Sequence, residues 1–176
     1  MSRLELSLAR LRLWDLALCV RFNNALRIDP VRRLFRVVSR LGDGLFWYAL
    51  MLALLAVGGA QAFIPVGHMA ATGFVGTLLY KWLKSKTSRP RPFAVNSAVR
   101  AGADPLDAFS FPSGHTLHAV AFSVVAIAYY PMLVWLLGPF AFLVALSRVI
   151  LGLHYPSDVL AGATLGALIA YASFWF

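Results

Sequence analysis

Charge is what this chain lacks along most of its length. Residues 44–80 contain no Asp, Glu, Lys or Arg, and neither do residues 116–147 or the stretch after Asp158. Only 13% of the 176 residues are charged, 60% are hydrophobic, and the mean hydropathy is +0.74. Uncharged runs of that length exclude an ordinary soluble domain and point to an integral membrane protein. Acidic residues are scarce, seven against sixteen Lys and Arg, for a net charge of +9. No carboxylate cluster able to hold a hard metal ion stands out, and no cofactor motif is read in the chain. Cysteine is nearly absent: Cys19 alone excludes an internal disulfide. Also missing is an N-terminal apolar core with a small-residue cleavage site. Glu5 and Asp15 stand there among arginines, so no cleavable signal peptide is expected. The basic excess flanks the apolar runs, which makes anionic lipid head groups, and not nucleic acid, the expected partner.

The apolar runs divide at their turn residues. Gly58-Gly59-Ala60-Gln61 and Pro65 split the first into helices near 44–62 and 65–83, and Tyr129-Tyr130-Pro131 splits the second into helices near 114–130 and 132–150. A fifth runs near 157–176. At 1.5 Å per residue each reaches roughly 25–30 Å, enough to cross a hydrocarbon core. Trp47, Tyr48, Tyr80 and Trp82 are expected at one interface and Tyr129, Tyr130 and Trp175 at the other. Ala161, Gly162, Ala163, Gly166, Ala167 and Ala170 suit close helix packing in the last span. The first forty-one residues differ. Asp29-Pro30 opens a helix with Arg32, Arg33, Arg36 and Arg40 on one arc and Val31, Leu34, Phe35, Val37, Val38 and Leu41 on the other, the pattern of an interfacial helix. Residues 3–22 are helical by pattern, but Glu5, Arg12 and Asp15 favour a segment lying in the interface or packed on the bundle over a sixth span. The fold class is thus all-α: an integral membrane helical bundle of about five spans plus N-terminal interfacial helices. It forms one domain over 1–176, with interfacial helices in 1–41 and the core in 44–176.

Five spans place the N-terminal segment, the 84–115 loop and the 148–158 turn on one side. All sixteen Lys and Arg then fall on that side, and setting aside Lys84, Arg91 and Arg148 leaves thirteen against none. The positive-inside rule predicts that this side faces the cytoplasm, from the plasma (inner) membrane of a bacterium.

Three motifs share that side. Lys84 stands seven residues before Arg91-Pro92; Pro112-Ser113-Gly114-His115 follows; then come Ser147-Arg148, five residues, His154, three residues and Asp158. Each is weak alone, and together they form an inventory for phosphate ester chemistry. Lys84, Arg91 and Arg148 would neutralise a pentacoordinate phosphorus. Ser113 and Gly114, at a helix start, would offer backbone N–H groups to phosphoryl oxygens. His154 and Asp158, four apart, suit a carboxylate that fixes an imidazole tautomer and leaves the other ring nitrogen as nucleophile. Cations packed without an anion repel one another, so the pocket should seek phosphate even at rest.

The block resembles the type 2 phosphatidic acid phosphatase superfamily, the lipid phosphate phosphatases, and matches its eleven defining positions across residues 84–158. The resemblance implies metal-independent hydrolysis of a lipid phosphomonoester or diphosphate. In it His154 becomes a phosphohistidine, Asp158 supports His154, and His115 protonates the leaving group and then helps activate water. Lys84, Arg91, Ser113, Gly114 and Arg148 would bind phosphoryl oxygens. Phosphatidate, phosphatidylglycerol phosphate, polyprenyl diphosphate and polyprenyl-linked sugar phosphates are the implied substrates. The usual first span looks replaced here by the interfacial helices. A soluble vanadate-dependent haloperoxidase shares such a pocket, but this chain is too short and too apolar for one. A phosphotransferase with an acceptor other than water, and a non-catalytic lipid-binding subunit, stay open. Outside the motifs, His68 and His118 read as packing residues, Lys81, Lys86, Arg89 and Arg100 as head-group contacts, and Asp43 as a turn residue. The 93–111 loop, with Asp104 and Asp107, could cover the head group. Nothing in the pattern specifies an oligomeric state.

Overall fold

The computed structural model describes residues 3–175, with side chains for all of these except residues 3, 4, 7 and 8. Phe176, the last residue of the expected fifth span, lies outside them. Helices α1 (Arg3–Asn23) and α2 (Asp29–Arg40) precede α3 (Phe46–Gly58), α4 (Phe63–Thr87), the one-turn α5 (Pro92–Val95), α6 (Gly114–Tyr129), α7 (Val134–Ile150) and α8 (Pro156–Ala172). No strand joins them among the described residues; Pro90 and Phe109 form an isolated bridge that pins the α4–α6 loop.

The boundaries have local causes. Gly59, at φ 54°, ends α3 in a conformation that other residues avoid. Pro65 falls in the first turn of α4, where its missing N–H costs nothing. The Ser113 hydroxyl caps α6 by accepting from the Thr116 amide. Pro156 opens α8, and the Asp158 carboxylate accepts the Tyr155 amide at 2.9 Å. Asp29 lies inside the first turn of α2, with Ile28 at the cap, and pairs with Arg32 at 2.6 Å.

Helix α6 is the central element, packed against α4, α7 and α8. Its seam with α8 is backbone-close: a Cβ on Gly162 would stand 2.5 Å from the Ser113 carbonyl oxygen, and one on Gly166 2.3 Å from that of Leu117. The four-residue spacing of these glycines is the small-residue pattern of membrane helix pairs. Trp47, Met69, Val125, Leu137 and Val144 fill the core. Trp47 therefore departs from the expected interfacial belt: it is buried against Phe122 and Phe140, while Tyr48, Trp82 and Trp175 are exposed.

Leu52, Val57, Ile64, Phe74, Trp135, Phe142, Leu160 and Leu168 are exposed around the bundle. So much outward apolar surface belongs in lipid, and the protein is a membrane protein. The helical run Asp29–Thr87 contains one stretch long and apolar enough to span, and Pro131–Ile150 and Pro156–Trp175 are two more; Gly114–Tyr129 is a shorter apolar helix. Helix α1 packs on α7 and α8. The Asn23 side chain ties its end to the chain at Arg100 and Ile150, and Leu26 and Phe35 pack on Ile150, Leu151 and Leu153.

Candidate active site

A cavity of about 820 Å³ opens at the end of the bundle where the motifs converge. Lys84 from the end of α4, Arg91 from the loop, Gly114 and His115 from the start of α6, Arg148 from the end of α7 and His154 from the α7–α8 turn all line it. These are six of the eight residues that the sequence singles out. The other two lie behind the wall. Asp158 is fully buried. Ser113 is also fully buried, and its hydroxyl is engaged with Thr116 (2.9 Å to Oγ1) and does not face the cavity, because the α6 cap requires it. The Ser113 amide donates to the Asp158 carbonyl at 3.1 Å, so it too is taken. Among the described residues, the Gly114 and His115 amides at the helix start have no acceptor.

His154 is almost completely buried. Burial, and then the charges of Arg148, Arg91 and Lys84, hold its imidazole well below the ordinary histidine range, so it is neutral at pH 7. The Arg91 guanidinium donates to its Nε2 at 3.2 Å. Arginine offers only donors, so Nε2 carries the lone pair and Nδ1 the hydrogen. Nδ1 has no hydrogen-bond partner and faces Asp158 Oδ2 at 3.7 Å, longer than the direct bond that the spacing of the two residues suggests.

Asp158 is held instead by Arg89, whose guanidinium donates to Oδ1 at 2.6 Å. Arg89 also donates to Asp15 of α1 at 2.8 Å and to Ser157 at 2.8 Å, and stacks 3.9 Å from the centre of the Tyr155 ring. Asp15 in turn accepts from the Ser157 hydroxyl and amide. Burial works against the charge on Arg89, but the Asp15 and Asp158 carboxylates outweigh it and hold the guanidinium above its ordinary value. Arg89 is thus a strut behind Asp158 and His154 and not the head-group contact expected of it.

Two further carboxylates enter the pocket. Asp107 accepts from Lys84 at 2.5 Å and from Arg91 at 2.7 Å. Burial alone would raise its carboxyl, but the bond and charge of Lys84, with Arg91, hold it below the usual carboxylate range. The resting pocket therefore carries its own counter-anion, which differs from the expectation of unneutralised cations. Asp43, between α2 and α3, pairs with Nε2 of His115, and Arg148 donates to Ser39 of α2 at 2.5 Å. Asp43 is therefore not only a turn residue. Its signal in the sequence was a Gly-Asp-Gly at the edge of a long uncharged run; Asp107 was, with Asp104, one of two acids in a basic loop. His118 lines the cavity with both ring nitrogens engaged, on the Gly114 carbonyl and on Thr77, and His68 sits at the far end between Tyr129 and Ser173. Among the described residues no three His, Cys, Asp or Glu side chains group so as to hold a metal ion.

A family model described as "PAP2 superfamily" matches residues 49–176. The chain is 32% identical over 130 residues to an undecaprenyl-diphosphatase of Bacillus subtilis, covering 73% of this chain and 67% of that one. The LpxE crystal structure from Aquifex aeolicus superposes with a TM-score of 0.80 at 28% identity, over 92% of this chain and 94% of that one. A transmembrane PAP2-type phosphatidylglycerolphosphate phosphatase of Bacillus subtilis gives 0.71 at 26% identity, over 95% and 86%. Family model, relative and solved structures point the same way: this chain belongs to the PAP2 superfamily.

Proposed function

We propose that the protein is a metal-independent lipid phosphatase that works through a phosphohistidine on His154. The observation that carries this is the convergence of Lys84, Arg91, Arg148, His115 and His154 on one cavity, with the lone pair of His154 Nε2 held beside Arg91. The phosphoryl group of the substrate displaces Asp107 from Lys84 and Arg91 and takes up the free amides of Gly114 and His115. Nε2 of His154 attacks phosphorus, the bond to the leaving oxygen breaks, and His115 delivers a proton to that oxygen. The Nδ1–H of His154 faces Asp158, which stabilises the positive ring. Water then attacks the phosphorus, His115 takes its proton, and the P–N bond breaks to regenerate His154.

The substrate is a lipid phosphomonoester or diphosphate. The cavity continues from the charged end along Trp47, Met51, Ala70, Phe74 and Phe122, an apolar path suited to a lipid chain. The names of the relatives put polyprenyl diphosphates and phosphatidylglycerol phosphate first among the candidates. Phosphate release from purified protein in detergent, over a panel of glycerophospholipid and polyprenyl phosphates, tests the reading. His154→Ala is expected to abolish release and vanadate to compete with substrate; equal release by wild type and His154→Ala would sink it.

Five crossings, by α3, α4, α6, α7 and α8, with α1 and α2 at the interface, put every Lys and Arg and the cavity on the cytoplasmic side of the plasma membrane. Cys19 is buried, so an added thiol reports alone. Ser97→Cys in the exposed 93–111 loop should stay unlabelled by an impermeant thiol reagent in intact cells and label after permeabilisation; labelling from outside reverses the orientation.

A further inference from the structure

The site contains a second histidine–carboxylate pair. Asp43 Oδ1 meets Nε2 of His115, although 72 residues separate them. The Asp43 side chain is on the cavity wall, 37% exposed, and His115 is 10% exposed. The backbone that presents Asp43 is unusual. Leu41–Leu45 form a single π-turn between α2 and α3, and Gly44 within it takes φ 130°. Gly42 is buried against Val144 of α7, where a Cβ would stand 3.1 Å from the valine methyls. Such irregular turns inside helical runs recur where a side chain must be aimed, and positive φ at Gly44 is open to glycine and closed to most residues. The chain here is also tied down independently, since Ser39 already binds Arg148. The Asp43–His115 pair is therefore not needed to fasten α2 to the bundle.

We infer that Asp43 is a positioning residue for the leaving-group acid: it orients His115 and stabilises the imidazolium from which the leaving oxygen takes its proton. This rests on the proposed reading of His115. The chemistry requires such a partner. His115 must carry a positive charge in a pocket that already holds Lys84, Arg91 and Arg148, and like charges oppose it. Asp107 is committed to Lys84 and Arg91, and Asp158 to Arg89 and the Tyr155 amide. Asp43 is the carboxylate that the described residues place on His115. An imidazolium has two N–H donors. The Nε2–H is held by Asp43, and Nδ1, which makes no hydrogen bond among the described residues, delivers its proton as the P–O bond breaks. The imidazole left behind is neutral and still held at Nε2, and its Nδ1 accepts a proton from the water that attacks the phosphohistidine. Asp43 gains and loses no proton in the cycle.

The leaving group provides the test. An alkoxide is too basic to depart without a proton, whereas p-nitrophenolate departs unaided. Purified wild type, Asp43→Asn, Asp43→Glu and His115→Asn are assayed on one preparation each with a short-chain phosphatidate and with p-nitrophenyl phosphate. Asp43→Asn is expected to lose about 10²-fold in the single-turnover rate of leaving-group release from the alkyl ester and less than about fivefold from the aryl ester, in keeping with the usual size of general acid catalysis. This rate is read before the phosphohistidine hydrolysis that both esters share and in which His115 also acts. Asp43→Glu should recover part of the loss. A poorly folded preparation lowers both rates together and leaves their ratio unchanged, so misfolding cannot imitate the result. An Asp43→Asn ratio equal to wild type, beside a His115→Asn ratio that falls, overturns the role of Asp43 and spares that of His115. A His115→Asn ratio that does not fall overturns both. Phosphate release that survives in neither Asp43→Asn nor Asp43→Glu, on either ester, marks Asp43 as purely structural and also overturns the inference.

Discussion

The two ends of the motif-lined cavity are built on different plans. At the His154 end the groups are backed by a buried network: His154 faces a fully buried Asp158, Arg89 grips that carboxylate, and Asp15 and Ser157 grip Arg89. At the cation end, Lys84 and Arg91 rest on Asp107, a loop carboxylate that is 37% exposed. The first arrangement fixes geometry before substrate arrives. The second keeps two cations paired with a half-exposed partner, which in the proposed cycle gives way to a phosphoryl group. Preorganised charge is worth most where a bond forms, and an exchangeable counter-ion is useful where a ligand must enter.

Breaking the braced end should have the largest effects. Asp158→Asn keeps the shape of the carboxylate but removes its charge, and kcat should fall about 10³-fold with KM little changed; a loss under tenfold in steady-state phosphate release would show that the 3.7 Å separation carries little. Arg89→Met leaves two buried carboxylates facing each other without their cation. It should cost about 2–4 kcal/mol of stability in detergent, read as a lower unfolding midpoint. A midpoint equal to wild type would move the bracing role from Arg89 to Asp15 and Ser157.

The braced end also has a pH signature. The folded pKa of His154 lies well below its unfolded value of about 6.5. Between those two values the unfolded chain binds a proton that the folded one refuses, so stability falls as pH drops below about 6.5 and is unaffected above it. The slope is about 1.4 kcal/mol per pH unit from this group. Thermal midpoints of wild type and His154→Gln, measured from pH 8 down to pH 5, should diverge only below about 6.5; parallel curves would mean that His154 takes up its proton in the folded state.

The smallest effect belongs to the exchangeable end. Asp107→Asn removes the resident competitor, and inorganic phosphate and vanadate should bind several-fold tighter, roughly 1 kcal/mol. Weaker inhibition would mean that Asp107 positions Lys84 and Arg91 for substrate instead of standing in its place.

Much of the fold was legible because the membrane imposes a long-wavelength pattern. The uncharged runs 44–80 and 116–147 each became a pair of helices, broken at Gly59 and at Tyr130-Pro131, where the sequence places its turn residues. What a run of apolar residues does not say is which side of each helix faces the bundle. Trp47 sits at a span's end, where an aromatic belt is expected, yet it packs on Phe122 and Phe140 because α3 turns that face inward. Ser113 shows a similar limit. A serine before Gly-His at a helix start can serve a ligand or the cap, and here the Thr116 amide and hydroxyl hold it in the cap.

The supporting carboxylates were the least legible part. Asp15, Asp43 and Asp107 act on residues 74, 72 and 23 positions away, with no periodicity linking them. In the sequence Asp15 reads as a charge that argues against a sixth span, Asp43 as a turn residue and Asp107 as part of a loop that could cover a head group.

By itself the sequence determined the solvent, the all-α class and the inventory of reactive groups. Those follow from transfer free energies and side-chain chemistry, which are local properties. The tertiary structure alone decided which carboxylate meets which cation or imidazole. Charge pairing acts through space over a few ångströms, and only the packing of α1 on α7 and α8, of α2 on α7, and the course of the 88–113 loop set those distances.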